Sequence, residues 1–200
     1  WGYFKKLVIA DTAAVYVNQV YADVTSYSGV DLVLVMFLFS MQIYGDFSGY
    51  SDIALGTAKL LDIDLMTNFK SPYLSASVKE FWSRWHISLS SWFRDYVYIP
   101  LGGSRCTGNR RNMNLLLTFL ASGLWHGASW TFVVWGGIHG IAQMIENACS
   151  RLLVPVRKKK AGHILSVCAV FIFCSAAWVF FRAETFSDAG YIFGHIFEGI

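Results

Sequence analysis

Two histidines set in tryptophan-rich sequence are the residues most able to do chemistry. His86 lies in SRWHISLSSWF and His126 in SGLWHGASW, within a stretch from Ser77 to His139. An imidazole titrates near neutral pH, so its neutral form can take the proton from a hydroxyl attacking an ester or thioester carbonyl. His126 is bracketed by Ser122, Gly123, Gly127 and Ala128, small residues that leave room for a substrate chain. Each histidine also has a bland reading, as a core imidazole bonded to a carbonyl or as a ring packed on an aromatic face. His139, in GGIHG, reads as structural, and His163 and His195 lie near helix ends.

Competing chemistries find less support. No HxxH or HExxH string occurs, so no metal site is expected. No GxSxG elbow marks a serine hydrolase. Cys106, Cys149, Cys168 and Cys174 lack CxxC spacing. Asp46 and Asp52 could form a proton path in a transporter. Their plainer reading is ion pairing with Arg84 or Arg94, or solvation at a helix end.

The elements that must position these residues belong to a membrane protein. The chain is 55% hydrophobic and 14% charged, where soluble domains carry roughly a quarter charged residues. Net charge is +3, with the positive residues gathered in short loops. That pattern sets topology and argues against nucleic-acid binding. The chain starts at Trp1 and stops at Ile200 with no obvious terminus, so residues 1–200 are expected to be one partial membrane domain truncated at both ends.

In chain order, Trp1 to Tyr21 reads as a helix with Lys5 and Lys6 near its start. Leu32 to Gly45 is free of charge, and a span of about 20 residues must run on through Asp46. Gly45, Gly49 and Gly56 then offer close helix approach, and Asp62 to Tyr73 is a polar loop. Ser77 to Tyr98, drawn as one continuous helix, puts Trp82, Trp85, His86, Leu89, Trp92, Phe93 and Tyr96 on one face. Glu80, Arg84, Ser88, Ser91 and Asp95 fall on the other. Asn112 to Ile145 carries no Asp, Glu, Lys or Arg and is flanked by basic loops on both sides. It must therefore go in and come back as a hairpin of short or re-entrant helices, with Gly123, Gly127, Gly136 and Gly137 as break points. Ala161 to Phe181 is an uncharged span between Lys160 and Arg182.

Four blocks in this order resemble the membrane-bound O-acyltransferase family: GYFKKLVIAD, QIYGDFSGYSDIALG, NFKSPYLSASVKEFWSRWHISLSSWFRDYVYIPLGG and SGLWHGASWTFVVWGGIHG. The likeness covers roughly residues 1 to 182. It is to the bacterial branch of alginate O-acetylation and teichoic-acid D-alanylation, and the unbroken YIPLGG is similar to the alginate type. The resemblance implies an all-α multi-pass membrane protein of the bacterial inner membrane. Its helical bundle would hold a transmembrane tunnel with re-entrant and interfacial helices.

The resemblance further implies that His126 is catalytic and that His86 lies near the tunnel. The acyl donor would be a cytoplasmic thioester such as acetyl-CoA, with no bound cofactor. The acceptor would be an exported polysaccharide, reached with an extracytoplasmic acyltransferase partner. On this reading Trp125, Trp85 and Phe93 exclude water that would hydrolyse the thioester. Arg84, Arg94 and the 105–111 loop would attract a phosphate-bearing donor or set topology, and Asp46 would lie along the substrate path. The reading from another class is a proton-coupled transporter or a scaffold; within the family it is D-alanyl transfer to teichoic acid.

Overall fold

The uncharged run before Arg182 forms one helix, Lys160–Arg182. In the computed structural model, which describes residues 1–199, all regular elements among the described residues are helical. Two helices, Val30–Leu60 (α2) and Lys160–Arg182 (α8), are long and apolar enough to cross a bilayer. At 1.5 Å per residue, the 23 residues of α8 extend about 34 Å, enough for the ~30 Å hydrocarbon core. Ile164, Leu165 and Ile172 of α8 and Leu34 and Met41 of α2 are exposed. Such surfaces suit lipid and would be a liability in water. The chain forms two compact units, Trp1–Thr67 with Cys174–Ile200, and Asn68–Phe173.

In the first unit, a π-helical turn, Phe4–Ala10, runs into α1, Asp11–Ala22. Both lie against α2, and glycines set their distance. A Cβ on Gly49 would stand 2.8 Å from Gly2 O, and one on Gly45 would stand 3.1 Å from Lys5 O. Gly56 meets nothing within 4 Å, so it is no approach point. This closeness brings Lys5 Nζ to 2.8 Å from Asp52 and pairs Lys6 with Asp46. The two carboxylates are thus neutralised by lysines five and six, and not by Arg84 or Arg94 as the sequence suggests. Those arginines are taken by Glu80 and Asp95.

Val17, Val20, Leu32, Val35 and Phe39 make the buried core of this unit with Trp178 and Val179. Ser40 Oγ bonds Ser175 Oγ at 2.9 Å, satisfying two buried hydroxyls at once. The last helix, α9 (Phe186–His195), starts at a capping box of Thr185 and Asp188.

In the second unit the stretch drawn as one helix from Ser77 is broken. It forms α3 (Val78–Arg84), α4 (Ile87–Phe93) and a π-helical turn, Arg94–Tyr98. Ser77 Oγ caps α3 by accepting from Glu80 N at 2.9 Å. At the break His86 takes left-handed backbone, φ 45. The cause is tertiary. Lys70 N bonds Arg84 O at 3.0 Å and Ile87 N bonds Asn68 O at 3.0 Å. Residues 68–70 therefore occupy the backbone groups a continuous helix would need.

The charge-free segment folds as the expected hairpin of α5 (Gly108–His126) and α6 (Trp130–Ala148). Only one expected glycine, Gly127, lies at the break. Gly123 and Gly136 sit inside the helices, where a Cβ would stand 2.3 Å from Phe132 O and 2.2 Å from Phe119 O. They are contact points between backbones. A short helix, α7 (Ser150–Arg157), leads into α8.

Candidate functional site

His126 is the last residue of α5, and Gly127 leads away from it in extended conformation. A Cβ at Gly127 would stand 2.6 Å from the Phe132 ring, so glycine leaves that space to Phe132. Phe132 is tilted against His126 at 6.5 Å between ring centres. Trp135 meets His126 edge-on at 5.2 Å, and Trp125 does so at 5.0 Å. Trp135 is buried, whereas Trp125 is 59% exposed. Trp125 is thus packed on His126 on one side and open on the other.

His86 reaches the same neighbourhood from the α3–α4 break. Both rings belong to the second unit, and charge on His126 acts on His86. Asn68 Oδ1 accepts from Ser88 N at 3.0 Å and from Ser88 Oγ at 2.6 Å. With its own proton committed to Asn68, Ser88 Oγ can accept from His86 Nδ1, 3.4 Å away. That long contact favours the tautomer with Nε2 as the basic nitrogen. His86 is therefore aimed by loop residues and not by a helix face.

Trp85 is buried among Phe69, Tyr73 and Phe81. His139 is 0% exposed and packs on Trp135 at 5.3 Å. Trp82 Nε1 donates to His139 Nδ1 at 3.2 Å. His126, Trp135, His139 and Trp82 thus form a continuous set of rings. The burial of His139 agrees with the structural role read for it, although the GGIHG string carries no sign of the indole it meets.

A cavity of about 600 Å³, within the size range of small-molecule sites, has Trp82 of this set in its wall. On α5 it is lined by Arg111, Leu115, Thr118, Phe119 and Ser122, and on α6 by Gln143 and Asn147. Lys79, Trp82, Phe93 and Arg94 close the other side. From Arg111 to Ser122 the cavity follows α5 for about 16 Å and stops one turn short of His126. Its cations are Lys79, Arg111 and Arg94, the last of them paired with Asp95. Arg84 is absent from the lining because its guanidinium bonds Glu80 at 2.6 Å. Hydrogen bonding to Arg94 holds the Asp95 carboxyl below the usual carboxylate range. Asp46 belongs to the first unit.

The arrangement sets an imidazole one helical turn beyond a cavity with apolar walls and cationic side chains. It suits a long donor with an anionic portion and a reactive end near an imidazole.

Known proteins are similar to this chain in sequence. The chain is 42% identical over 98% of its length to a probable alginate O-acetylase of Pseudomonas putida. It is 43% identical over 94% of its length to a peptidoglycan O-acetyltransferase of Helicobacter pylori. A teichoic acid D-alanyltransferase of Streptococcus thermophilus matches 64% of the chain at 38% identity and is covered over 33% of its own length. The chain spans 40% and 36% of the first two relatives' length. The family profile of the membrane-bound O-acyltransferases matches residues 5–183. With this helical fold and its paired histidines, the chain belongs to the membrane-bound O-acyltransferase family.

Proposed function

We propose that the chain is the histidine-bearing part of a multi-pass inner-membrane enzyme that moves an acetyl group from cytoplasmic acetyl-CoA to hydroxyls of an exported polysaccharide. The observation that carries this reading is the placement of His126 beyond the end of a cavity lined by Lys79, Arg94 and Arg111. The phosphates of the donor would lie toward these cations, and the thioester would lie toward Ser122 and the ring wall. His126 takes the proton of the acceptor hydroxyl as its oxygen bonds to the acyl carbon and the C–S bond breaks, and the sulfur leaves as coenzyme A thiol with that proton. His86 orients the acceptor, or the relay group of an extracytoplasmic partner. The tunnel through the bilayer and the partner itself are part of the same proposal.

Acetyl transfer is favoured over D-alanyl transfer by coverage. The acetyl-named relatives above match 94% to 98% of the chain, and the D-alanyl-named one matches 64%. The carbohydrate is alginate-like or peptidoglycan-like, since both names stand at 42% to 43% identity. A proton-coupled transporter is disfavoured because Asp46 and Asp52 are each neutralised by a lysine.

The test is His126→Ala in the complete protein, with labelled acetyl-CoA and the cell's own exported polymer. Loss of acetyl incorporation at normal membrane abundance is expected. Wild-type acetylation by that variant overturns the assignment.

A further inference from the structure

Trp82 and Trp135 link the cavity wall to His126 by ring contact, and they are not equivalent. Trp135 is fully enclosed, while Trp82 forms part of the cavity wall itself. Trp82 touches Trp135 at 5.7 Å and Phe119 at 5.4 Å, both edge-on. What fixes its rotation is polar. Its Nε1–H donates to His139 Nδ1 at 3.2 Å, with the rings perpendicular. His139 in turn cannot turn easily, being wholly buried between Phe81, Trp135 and Phe173. An indole has one donor and a neutral imidazole one acceptor nitrogen, so the bond selects a single orientation of each ring.

We infer that His139 is a positioning residue whose Nδ1 latches the Trp82 indole as the door between the cavity and His126. The inference rests on the proposed reading of the cavity as donor site and of His126 as base. With the door shut, the thioester is held on one side and the base, with any water it could activate, on the other. Passage of the acyl end toward His126 requires the indole to swing away. A door that stands open exposes the thioester to hydrolysis. Water oxygen then bonds to the acyl carbon, the C–S bond breaks, and the sulfur leaves as coenzyme A thiol with one proton. Acetate is the other product.

The experiment measures thiol release from acetyl-CoA, with no polysaccharide present, by the complete protein in lipid nanodiscs. Trp82→Phe keeps the packing ring but removes the donor. His139→Phe keeps a ring but removes the acceptor. Each is expected to raise hydrolysis about fivefold, the shift that loss of one neutral hydrogen bond produces. The double variant should be no worse than either single one, since both break the same bond. His139→Asn, whose Oδ1 can stand in for Nδ1, should stay near the wild-type rate.

Unchanged hydrolysis in Trp82→Phe, additive effects in the double variant, or an Asn variant as leaky as the Phe variant would each overturn the latch. Should His139→Phe fail to fold, Trp82→Phe alone decides. Adding His126→Ala to Trp82→Phe should abolish the excess. If it does not, the role given to His126 fails while the latch stands.

Discussion

Asn68 Oδ1 accepts from both the backbone N–H and the hydroxyl of Ser88, 20 residues along the chain. This pair of bonds holds the break at which His86 turns left-handed. Asn68→Ala, which touches no substrate, is therefore expected to lower stability by about 1–3 kcal/mol. It should also reduce acetyl transfer by more than a change in folded fraction explains. Thermal unfolding and turnover measured on the same nanodisc sample separate the two effects.

His86 itself sits where L-residues pay roughly 1–2 kcal/mol for left-handed backbone, and where asparagine is better tolerated than a β-branched residue. His86→Asn should fold with little loss and be poorly active. His86→Val should be poorly active and also destabilised by about 1–2 kcal/mol. Equal melting temperatures for the two would show that the left-handed turn is not retained.

The hairpin glycines should respond unequally. At Gly123 and Gly136 a Cβ would meet backbone oxygen at 2.3 and 2.2 Å, so alanine at either forces the helices apart at a cost of about 1–3 kcal/mol. At Gly137 the nearest atom is Leu120 Cδ2 at 3.4 Å, an ordinary contact. Gly137→Ala should be neutral or stabilising by up to about 1 kcal/mol through helix propensity. Urea or thermal unfolding of the three variants checks the order.

Among the arginines and lysines, the cavity decides which matter for the donor. Arg111→Gln and Lys79→Gln should raise KM for acetyl-CoA by roughly tenfold with kcat little changed, as loss of one charge-assisted contact would. Added salt should raise the wild-type KM in the same sense. Arg84→Gln should leave KM alone, since Arg84 is bonded to Glu80 and does not line the cavity.

Glu146 holds three elements together. One carboxylate oxygen accepts from Val78 N at 3.0 Å and Lys79 N at 3.3 Å, and the other is paired with Arg157. Glu146→Ala should cost about 3 kcal/mol by leaving the half-buried arginine uncompensated. Glu146→Gln should cost less, because an amide oxygen still caps α3. Melting curves of both variants test this.

Much of this architecture was legible in the sequence where a signal ran along the chain. The uncharged run before Arg182 became α8, and the charge-free stretch between basic loops became the α5–α6 hairpin. The family motifs carry both His86 and His126. What escaped were features made by residues far apart in sequence. A wheel through Ser77–Tyr98 assumes unbroken helix, and nothing local reveals that Asn68 and Lys70 will interrupt it. The partners of Asp46 and Asp52 lie some forty residues upstream, so charge alone could not choose them over Arg84 or Arg94. The role of His139 depends on Trp82 from another helix.

Where Gly123 meets Gly136, main chain lies on main chain, and the spacing between α5 and α6 contains no rotamer. His126 and Trp135 therefore inherit their separation from the most invariant part of a polypeptide. Arg111, Leu115, Gln143 and Asn147, lower in the hairpin, line the cavity and are not part of that backbone contact. On the proposed function, recognition and reaction are in this way written on different parts of the same two helices. A lineage could change what it accepts while keeping where it reacts.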